Sequence, residues 1–425
     1  MADAQDPPAN RASTRVLIFV VAYNAESTIE NVLARIPEEV FGYDYEILIV
    51  DDQSTDETFE RASIHQRLHR ERNLTVLANP QNQGYGGNQK IGYQYAIQNG
   101  FDVVALLHGD GQYAPERLPE LIAPVAGGEA DAVFGTRMAE PRAALRGGMP
   151  LYKYVGNRIL TGLQNRLLGT HLSEFHSGYR VYSVRALASL PFRFNTNDFH
   201  FDTEIIIQFV LARLRIREIP IPTYYGDEIC RVNGLAYAWN VVRATLLARL
   251  HGMQVYFQRQ YDVGMEGVRY PLKLGYPSSH TLALEAVEPE SRVLDIGCGT
   301  GALGRELEKK GCHVRGVDAH TLPEACALSD YAQVDLDRDP LPDRADAFDC
   351  VLLLDVIEHL DTPAIFRLLD HLRATAQDKR PDVVLTTPNV AFGLIRLQLL
   401  RGEFNYGKRG ILDMTHRHLF TFGSL

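Results

Sequence analysis

Three apolar runs in this chain each stop at a cluster of acids, glycines and small polar residues. That recurrence constrains the fold more than any other feature. The clusters are VDDQSTDET at Val50–Thr58, LLHGDGQY at Leu106–Tyr113 and VLDIGCGTG at Val293–Gly301. A short apolar run bounded by turn residues reads as a buried strand. Strands alternating with amphipathic stretches imply parallel α/β sheets, whose ligand sites lie just past the strands' carboxyl ends. The first two clusters pair as one signature, and the third stands alone far downstream. At 425 residues the chain is also too long for one ordinary core. Two α/β domains are therefore expected.

The alternation begins at Arg15. Strands are expected at Val16–Tyr23, Tyr45–Val50, Leu74–Ala78, Val103–His108 and Asp131–Arg137, with helices at Ser27–Ile36, Asp56–Arg70 and Tyr85–Asn99. After Ile221 the pattern changes. Leu235–Leu250 carries a helical stripe of Leu235, Trp239, Val242, Leu246 and Leu250, flanked by Arg231, Arg243 and Arg249. Such a helix either lies on anionic lipid or packs as an ordinary amphipathic helix. His251–His280 is irregular and rich in glycine and proline, so the domain boundary is placed there. Alternation resumes with a strand from Arg292, a helix at Ala302–Lys310, and strands at His313–Asp318, Cys350–Val356 and Val383–Thr387.

Composition excludes several classes. The formal charge of −10 argues against a chain built to coat nucleic acid, though it leaves a local basic site open. The five cysteines (Cys230, Cys298, Cys312, Cys326, Cys350) show no C-x-x-C spacing and read as reduced and mostly buried. Residues 1–14 are polar and lack the apolar core of a signal peptide; a disordered lead is expected. No run approaches the roughly 18–20 apolar residues of a membrane span.

At the first signature, Asp51 and Asp52 end a strand, where paired carboxylates can accept hydrogen bonds from a nucleoside's base and ribose. The same residues also suit a turn and helix cap. Asp110 follows another strand between two glycines. A carboxylate there can hold Mg²⁺ or Mn²⁺ bridging diphosphate oxygens, with Gln112 or His108 adding a donor; a plain Asp-Gly turn is the alternative. Together with VAYNAESTI, NQGYGGNQKIGYQYA, FGTR, FHSGYRVYS, FDTEI and IPIPTYYGDE, these motifs resemble a family-2 glycosyltransferase of GT-A fold over roughly Arg15–Asp227, nearest the dolichyl-phosphate-mannose-synthase-like branch. The resemblance implies nucleotide contacts at Tyr23, Asn24, Asp51 and Asp52, with Lys90 nearby, and metal ligands at Asp110 and Gln112. It implies that Arg137, His176 and Arg180 lie near the diphosphate or an anionic acceptor. A hydroxyl acceptor would need a base, for which Asp202 and Glu204 are candidates; a polyprenyl phosphate would not. Two positions depart from the family pattern: His108 stands for the first acid of Asp-x-Asp, and Ala25 for the acid after Tyr-Asn.

At the second signature, Asp295 precedes Gly297, Gly299 and Gly301, and Asp318 closes the next strand, where an acid can hold ribose hydroxyls. Dinucleotide binding is the rival reading of the glycines alone. With LDVIEHL at Leu354–Leu360 and TTPN at Thr386–Asn389, this stretch resembles a class I S-adenosylmethionine-dependent methyltransferase from about Tyr276. The resemblance implies that Asp295, Gly297 and Gly299 line the methionine side and that Asp318 binds the ribose. It places Asp335 and Leu336 at the adenine, and Asp355 and His359 at the reaction cleft, with His359 the candidate base. The family domain continues beyond where this chain stops, so an incomplete domain is expected.

The expected organisation is a lead at 1–14, a GT-A domain at 15–228, an amphipathic helix and linker at 229–280, and an incomplete Rossmann-like methyltransferase domain at 281–425. The expected activity is transfer from a nucleoside-diphosphate sugar to a polyprenyl phosphate or glycan. Methylation of a sugar-related or other small acceptor accompanies it. The alternative is a glycosyltransferase whose second domain is a non-catalytic docking module. A cytoplasmic location with peripheral contact at the inner face of the membrane is expected, with no nucleic-acid partner.

Overall fold

In β1 (Arg15–Ala22) successive side chains point to opposite faces, and both faces are buried. Val16, Ile18 and Val20 enter one core; Leu17, Phe19 and Val21 enter another. Only a central strand covered on both sides reads as an unbroken apolar run. The computed structural model describes residues 14–140, 142–223, 233–263, 272–322, 328 and 330–425. Residues 1–13 of the expected lead, Cys230, Arg231, Cys326 and the end of IPIPTYYGDE lie outside the described residues, while Thr14 of that lead is buried.

The chain divides into two compact units. The first runs to Gly252 and includes Gln258–Gly264; the second takes Met253–Phe257 and Met265–Leu425.

In the first unit β1 is joined by β2 (Asp44–Asp51), β3 (Leu74–Ala78), β4 (Val103–His108), β5 (Ala132–Thr136), β6 (Arg180–Ser183) and β7 (Ile216–Pro220). The order is β3-β2-β1-β4-β6-β5-β7. The sheet is not purely parallel: β6 runs antiparallel to both β4 and β5. Its sequence, RVYS, hides the strand because it opens on an arginine. Arg180 is 1% exposed and donates to the backbone oxygens of Ser177 (2.8 Å), Asp202 (3.0 Å) and Phe175 (3.0 Å). A cation can be buried when its donors are satisfied in this way.

The helix Gly234–Gly252 is present, but its buried face is not the expected stripe. Val241, Ala244, Thr245 and Ala248 face inward, while Leu235 (87%), Trp239 (69%) and Leu246 (45%) are exposed. It packs on the helix Leu151–Leu168, whose Leu151, Tyr152, Val155 and Ile159 are also exposed. Small residues permit close helix packing and leave the large ones outside. Among the described residues no helix is long and apolar enough to cross a membrane.

The described residues of the second unit form a sheet of five parallel strands: β8 (Arg292–Ile296), β9 (His313–Asp318), β10 (Asp330–Gln333), β11 (Cys350–Leu354) and β12 (Asp382–Thr386). Their order is β10-β9-β8-β11-β12. β8 and β11 also bury both faces, Leu294, Ile296, Val351 and Leu353 on one side and Val293, Leu352 and Leu354 on the other. Cys298, Cys312 and Cys350 are free and buried.

Candidate active sites

The ends of β1, β2 and β4 lie side by side in the first unit. Ala22 pairs with Asp51 on one flank of β1, and Val21 pairs with His108 on the other. The N–H of Asp52 donates to Ala22 O at 2.9 Å, and that of Gly109 to Val21 O at 2.9 Å. The loops carrying Asp52 and Asp110 therefore leave the sheet on opposite sides of one strand. Two strand spacings separate their starts by about 10 Å.

The β2 loop is held by its own polar side chains. Asp51 accepts the hydroxyl of Ser54 and its N–H (3.1 Å). Asp52 Oδ1 accepts Asn79 Nδ2 (2.7 Å) and the Gln83 N–H (2.8 Å). Asn24 donates its N–H to Ser54 Oγ and accepts the Thr55 N–H, both at 2.8 Å. Asn24 and Gln53 adopt φ of 50° and 58°, a region side-chain-bearing residues enter at a cost and mostly at functional or tightly packed sites. Asp51 and Asp52 are buried, whereas Tyr23 is 42% exposed.

On the β4 side Asp110 is exposed, and its Oδ1 accepts the Gln112 N–H at 3.0 Å. His108 packs so closely on Gly178 that a Cβ there would lie 2.8 Å from Cε1 and Nε2. Its Nε2 is 3.3 Å from the Tyr85 hydroxyl, which itself donates to Asp202 Oδ2 at 2.9 Å. Because that hydroxyl has one proton, His108 donates from Nε2 and carries its lone pair on Nδ1. Burial lowers its pKa below the ordinary imidazole value, against the opposing pull of Asp110 and Asp202. Asp202 is also bound through Oδ1 to Gln89 Nε2 (3.1 Å) and lies 3.7 Å from Arg180. Both of its oxygens are thus engaged.

Tyr85, Gln89 and Tyr93 form an i, i+4, i+8 ladder along the helix Tyr85–Gln98, Tyr93 donating to Gln89 at 2.7 Å. None of the three stood out in the sequence. The signal available was a polar stripe on an otherwise buried helix face.

Glu204 is not in this cluster. It accepts the Thr196 N–H (2.6 Å) and Gln260 Nε2 (3.2 Å), and burial pushes its pKa up to about 6. Lys90 donates to Asn195 O and to Asn197 Oδ1 (2.7 Å). Arg137 pairs with the buried Glu174, which Asn157 also holds at 2.8 Å. Burial would raise the pKa of Glu174, but the adjacent Arg137 guanidinium outweighs it and holds the carboxyl below its usual range. His176 is bonded through Nδ1 to the Tyr237 hydroxyl at 2.9 Å, and burial takes its pKa down to about 4. Arg137 lines a cavity of about 360 Å³ together with Arg117 and Arg146 at the ends of β5 and β7.

In the second unit Asp295 is buried at the end of β8, and among the described residues its Oδ2 has no hydrogen-bond partner. Burial, and then Asp318, raise its pKa to about 7. Gly297 has φ 77°, and a Cβ there would meet Val356 at 2.4 Å, so only glycine fits. Gly299 donates its N–H to Asp318 Oδ2 at 2.8 Å. Asp335 follows β10, with its carboxylate 3.4 Å from Arg338, while Leu336 packs on the core. Asp355, with φ 54°, is held by Lys273 Nζ (2.7 Å), Ser279 Oγ (2.9 Å) and Thr386 Oγ1 (3.0 Å). His359 lies beside His416, with ring centroids 4.8 Å apart. Lys273 sits in the irregular stretch where sequence pattern gave no reason to single it out.

The family model for glycosyl transferase family 2 matches residues 17–190, and a methyltransferase domain model matches residues 273–425. The UDP-N-acetylglucosamine–dolichyl-phosphate N-acetylglucosaminyltransferase of Methanococcus voltae is 30% identical over 226 residues, covering 51% of this chain and 88% of that protein. The undecaprenyl-phosphate mannosyltransferase of Micrococcus luteus is 27% identical over 252 residues, covering 55% and 99% respectively. The ubiquinone biosynthesis O-methyltransferase of Hahella chejuensis is 36% identical over 87 residues, which is 19% of this chain and 37% of that protein. The chain belongs to glycosyl transferase family 2, and a methyltransferase domain follows its transferase domain.

Proposed function

We propose that the first unit transfers a sugar from a nucleoside diphosphate to a polyprenyl phosphate, and that the second methylates a sugar-related or other small acceptor with S-adenosylmethionine. One observation carries the first part: Asp52 and Asp110 leave the sheet on either side of β1, a span suited to a nucleoside at one end and its diphosphate at the other. Tyr23, Asn24, Asp51 and Asp52 form the nucleoside side. Asp110, Gln112 and His108 Nδ1 form a mixed oxygen and nitrogen donor set, which favours Mn²⁺ over Mg²⁺ because imidazole suits the softer ion. When bound, the ion offsets the negative charge that grows on the departing diphosphate. The Tyr85–Asp202–Arg180 network orients the His108 ring through Nε2.

The acceptor is assigned from charge and exposure. Arg117, Arg137 and Arg146 line one cavity with Glu140; each arginine is paired with a carboxylate, Glu120, Glu174 and Glu140 in turn, and a phosphate would enter by competing for those guanidiniums. A phosphate oxygen is already anionic and needs no general base. The engaged carboxylates of Asp202 and Glu204 fit that acceptor better than a neutral hydroxyl. The exposed Leu151, Tyr152, Val155, Ile159, Leu235 and Trp239 supply an apolar face, with Arg158, Arg243 and Arg249 exposed on the same two helices. Such a face suits peripheral membrane contact at the inner leaflet, where a polyprenyl chain resides. The two glycosyltransferase relatives are named for dolichyl phosphate and undecaprenyl phosphate. In the second unit Asp318 is the ribose acid, and Asp295 with Gly297 and Gly299 lines the methionine side.

The test is transfer from a panel of UDP- and GDP-sugars to a short polyprenyl phosphate with Mn²⁺ or Mg²⁺. A lipid-linked sugar is expected, and Asp110→Asn should lower its formation by about 10²–10³-fold, the scale of removing one charge-stabilising group. Undiminished turnover in that variant removes Asp110 from the mechanism. Calorimetry with S-adenosylhomocysteine tests the second unit; no binding would leave it a docking module.

A further inference from the structure

Glu358 lies past the end of β11 and is 1% exposed. Among the described residues neither of its carboxyl oxygens has a hydrogen-bond partner of good geometry; the Thr387 hydroxyl, itself otherwise unpartnered, is the side-chain donor beside it. A buried carboxylate left without partners is costly enough to demand a counter-ion or a proton. Two imidazoles lie beside it, together with Thr387 and the paired charges of Asp355 and Lys273. His359 follows it in sequence, and His416 comes back from near the chain's end. One ligand atom from each of Glu358, His359 and His416 lies within 4.8 Å of the other two.

The segment carrying His416 is tied down. The N–H groups of Arg417 and His418 donate to the backbone oxygen of Glu358 at 2.8 and 3.1 Å. Asp413, itself 2% exposed, accepts both the N–H and the hydroxyl of Thr415 at 2.8 Å. Both rings are also oriented from behind. His416 Nδ1 is 3.2 Å from Ile411 O, and His359 Nδ1 is 3.3 Å from Thr415 O. A carbonyl only accepts, and the Thr415 hydroxyl, 3.2 Å from His359 Nδ1, gives its proton to Asp413, so each ring is protonated at Nδ1 and carries its lone pair on Nε2. A carbonyl behind a ring is the outer partner typical of metal-ligating histidines.

We propose that Glu358, His359 and His416 form a divalent metal site in the second unit, taking a borderline first-row ion, Zn²⁺ foremost. Two imidazoles with one carboxylate suit Zn²⁺, Mn²⁺ or Fe²⁺, whereas Mg²⁺ and Ca²⁺ prefer all-oxygen sites. Ligand atoms at about 2.1 Å from such an ion sit roughly 3.4 Å apart, which small side-chain rotations reach. Three protein ligands leave a position open, as in catalytic and not structural zinc sites. The open position admits an oxygen ligand, and an acceptor hydroxyl or a vicinal pair of sugar hydroxyls is the class it fits. That last step rests on the methyltransferase reading; the metal site does not. In this arrangement His359 is a ligand and not a proton acceptor.

The test uses the full chain carrying Asp110→Asn, so that the first unit's candidate cation site does not contribute. After chelator treatment it is titrated with Zn²⁺ by calorimetry and with Co²⁺ by visible absorption. One equivalent of Zn²⁺ and ligand-field bands of bound Co²⁺ are expected. Adding Glu358→Gln or His416→Ala should weaken Zn²⁺ binding by more than about 100-fold, beyond the 10–100-fold that follows loss of an orienting partner; His418→Ala should not. His416→Gln replaces the alanine variant if the latter fails to fold by near-UV circular dichroism. S-adenosylhomocysteine binding is measured alongside. Zn²⁺ binding without S-adenosylhomocysteine binding upholds the metal site and sinks the methyltransferase reading. Absence of Zn²⁺ binding, or binding unchanged in the Glu358 and His416 variants, overturns the metal site whatever the nucleoside result.

Discussion

Replacing Gly178 with alanine tests whether His108 is wedged where the first site needs it. A Cβ at 178 would stand 2.8 Å from His108 Cε1, His108 Nε2 and the Tyr85 hydroxyl. Comfortable contact between such atoms begins near 3.5 Å, so the ring or the loop must retreat by about 0.7 Å or more. Gly178 does not have a positive φ, so the backbone itself accepts alanine and contact is the whole perturbation. Overpacking of this kind costs about 1–3 kcal/mol. In a unit of this size that lowers the melting temperature by about 2–10 °C. Displacing His108 by most of an ångström should also cut sugar transfer, by up to about 100-fold.

The assay is thermal unfolding together with transfer rate, in a double-mutant cycle with His108→Ala. With the ring removed, much of the clash disappears, so the two changes should couple by at least about 1 kcal/mol. Gly162→Ala serves as the control. It lies inside the helix Leu151–Leu168 with nothing within 4 Å of its Cβ, so it should stabilise by about 0.5–1 kcal/mol. Gly178→Ala melting and turning over like wild type, with no coupling to His108→Ala, would refute this packing.

Four further outcomes are expected. Burial raises Glu204 from 4.5 to about 6, so the folded chain holds that proton more tightly than the unfolded chain. The resulting contribution is present below pH 4.5 and lost as pH rises through 6. Glu204→Gln should therefore gain on wild type by about 2 kcal/mol between pH 4.5 and 7.5 in urea titrations, and a constant difference would contradict it. Burial lowers His176 from 6.5 to about 4, so its contribution is present above pH 6.5 and lost as pH falls through 4. His176→Asn should flatten that acid-side decline by about 3 kcal/mol, read from the pH dependence of unfolding. Gly297→Ala would place a Cβ 2.4 Å from Val356 at φ 77°; it should abolish S-adenosylhomocysteine binding in calorimetry, and retained affinity would count against this turn. Trp239→Ser with Leu235→Ser should weaken flotation with anionic liposomes without lowering the melting temperature, and unchanged flotation would remove this face from membrane contact.

Sequence pattern located the strands that are apolar along most of their length. β1, β4 and β11 were legible because both faces are covered and their polar residues fall only at the strand ends, and β8 was legible despite Asp295 because a glycine turn follows it. β6, β7 and β10 were not. β6 is central but begins with Arg180, whose donors are satisfied by loop carbonyls that no local window contains. β7 and β10 lie at sheet edges and are only partly buried, so neither continuous hydrophobicity nor clean alternation marks them. The antiparallel sense of β6 depends on how distant segments meet and leaves no local trace. The helix Gly234–Gly252 misled in the opposite way, since Ala244, Thr245 and Ala248 form its packed face and the large residues point out. At the first site the strand-end acids were legible from their turns. The Tyr85–Asp202 bond was not, because it joins residues 117 apart in sequence.

The central proposal is that a nucleoside diphosphate and a cation bind between the loops that carry Asp52 and Asp110. Calorimetric titration of UDP and GDP into the full chain, with and without Mn²⁺, measures this directly. Binding of one of the two should tighten at least tenfold with Mn²⁺ in wild type, a linkage of about 1.4 kcal/mol, and Asp110→Asn should bind equally with and without the ion. Affinity indifferent to Mn²⁺ in wild type, or an undiminished Mn²⁺ effect in Asp110→Asn, would contradict the account.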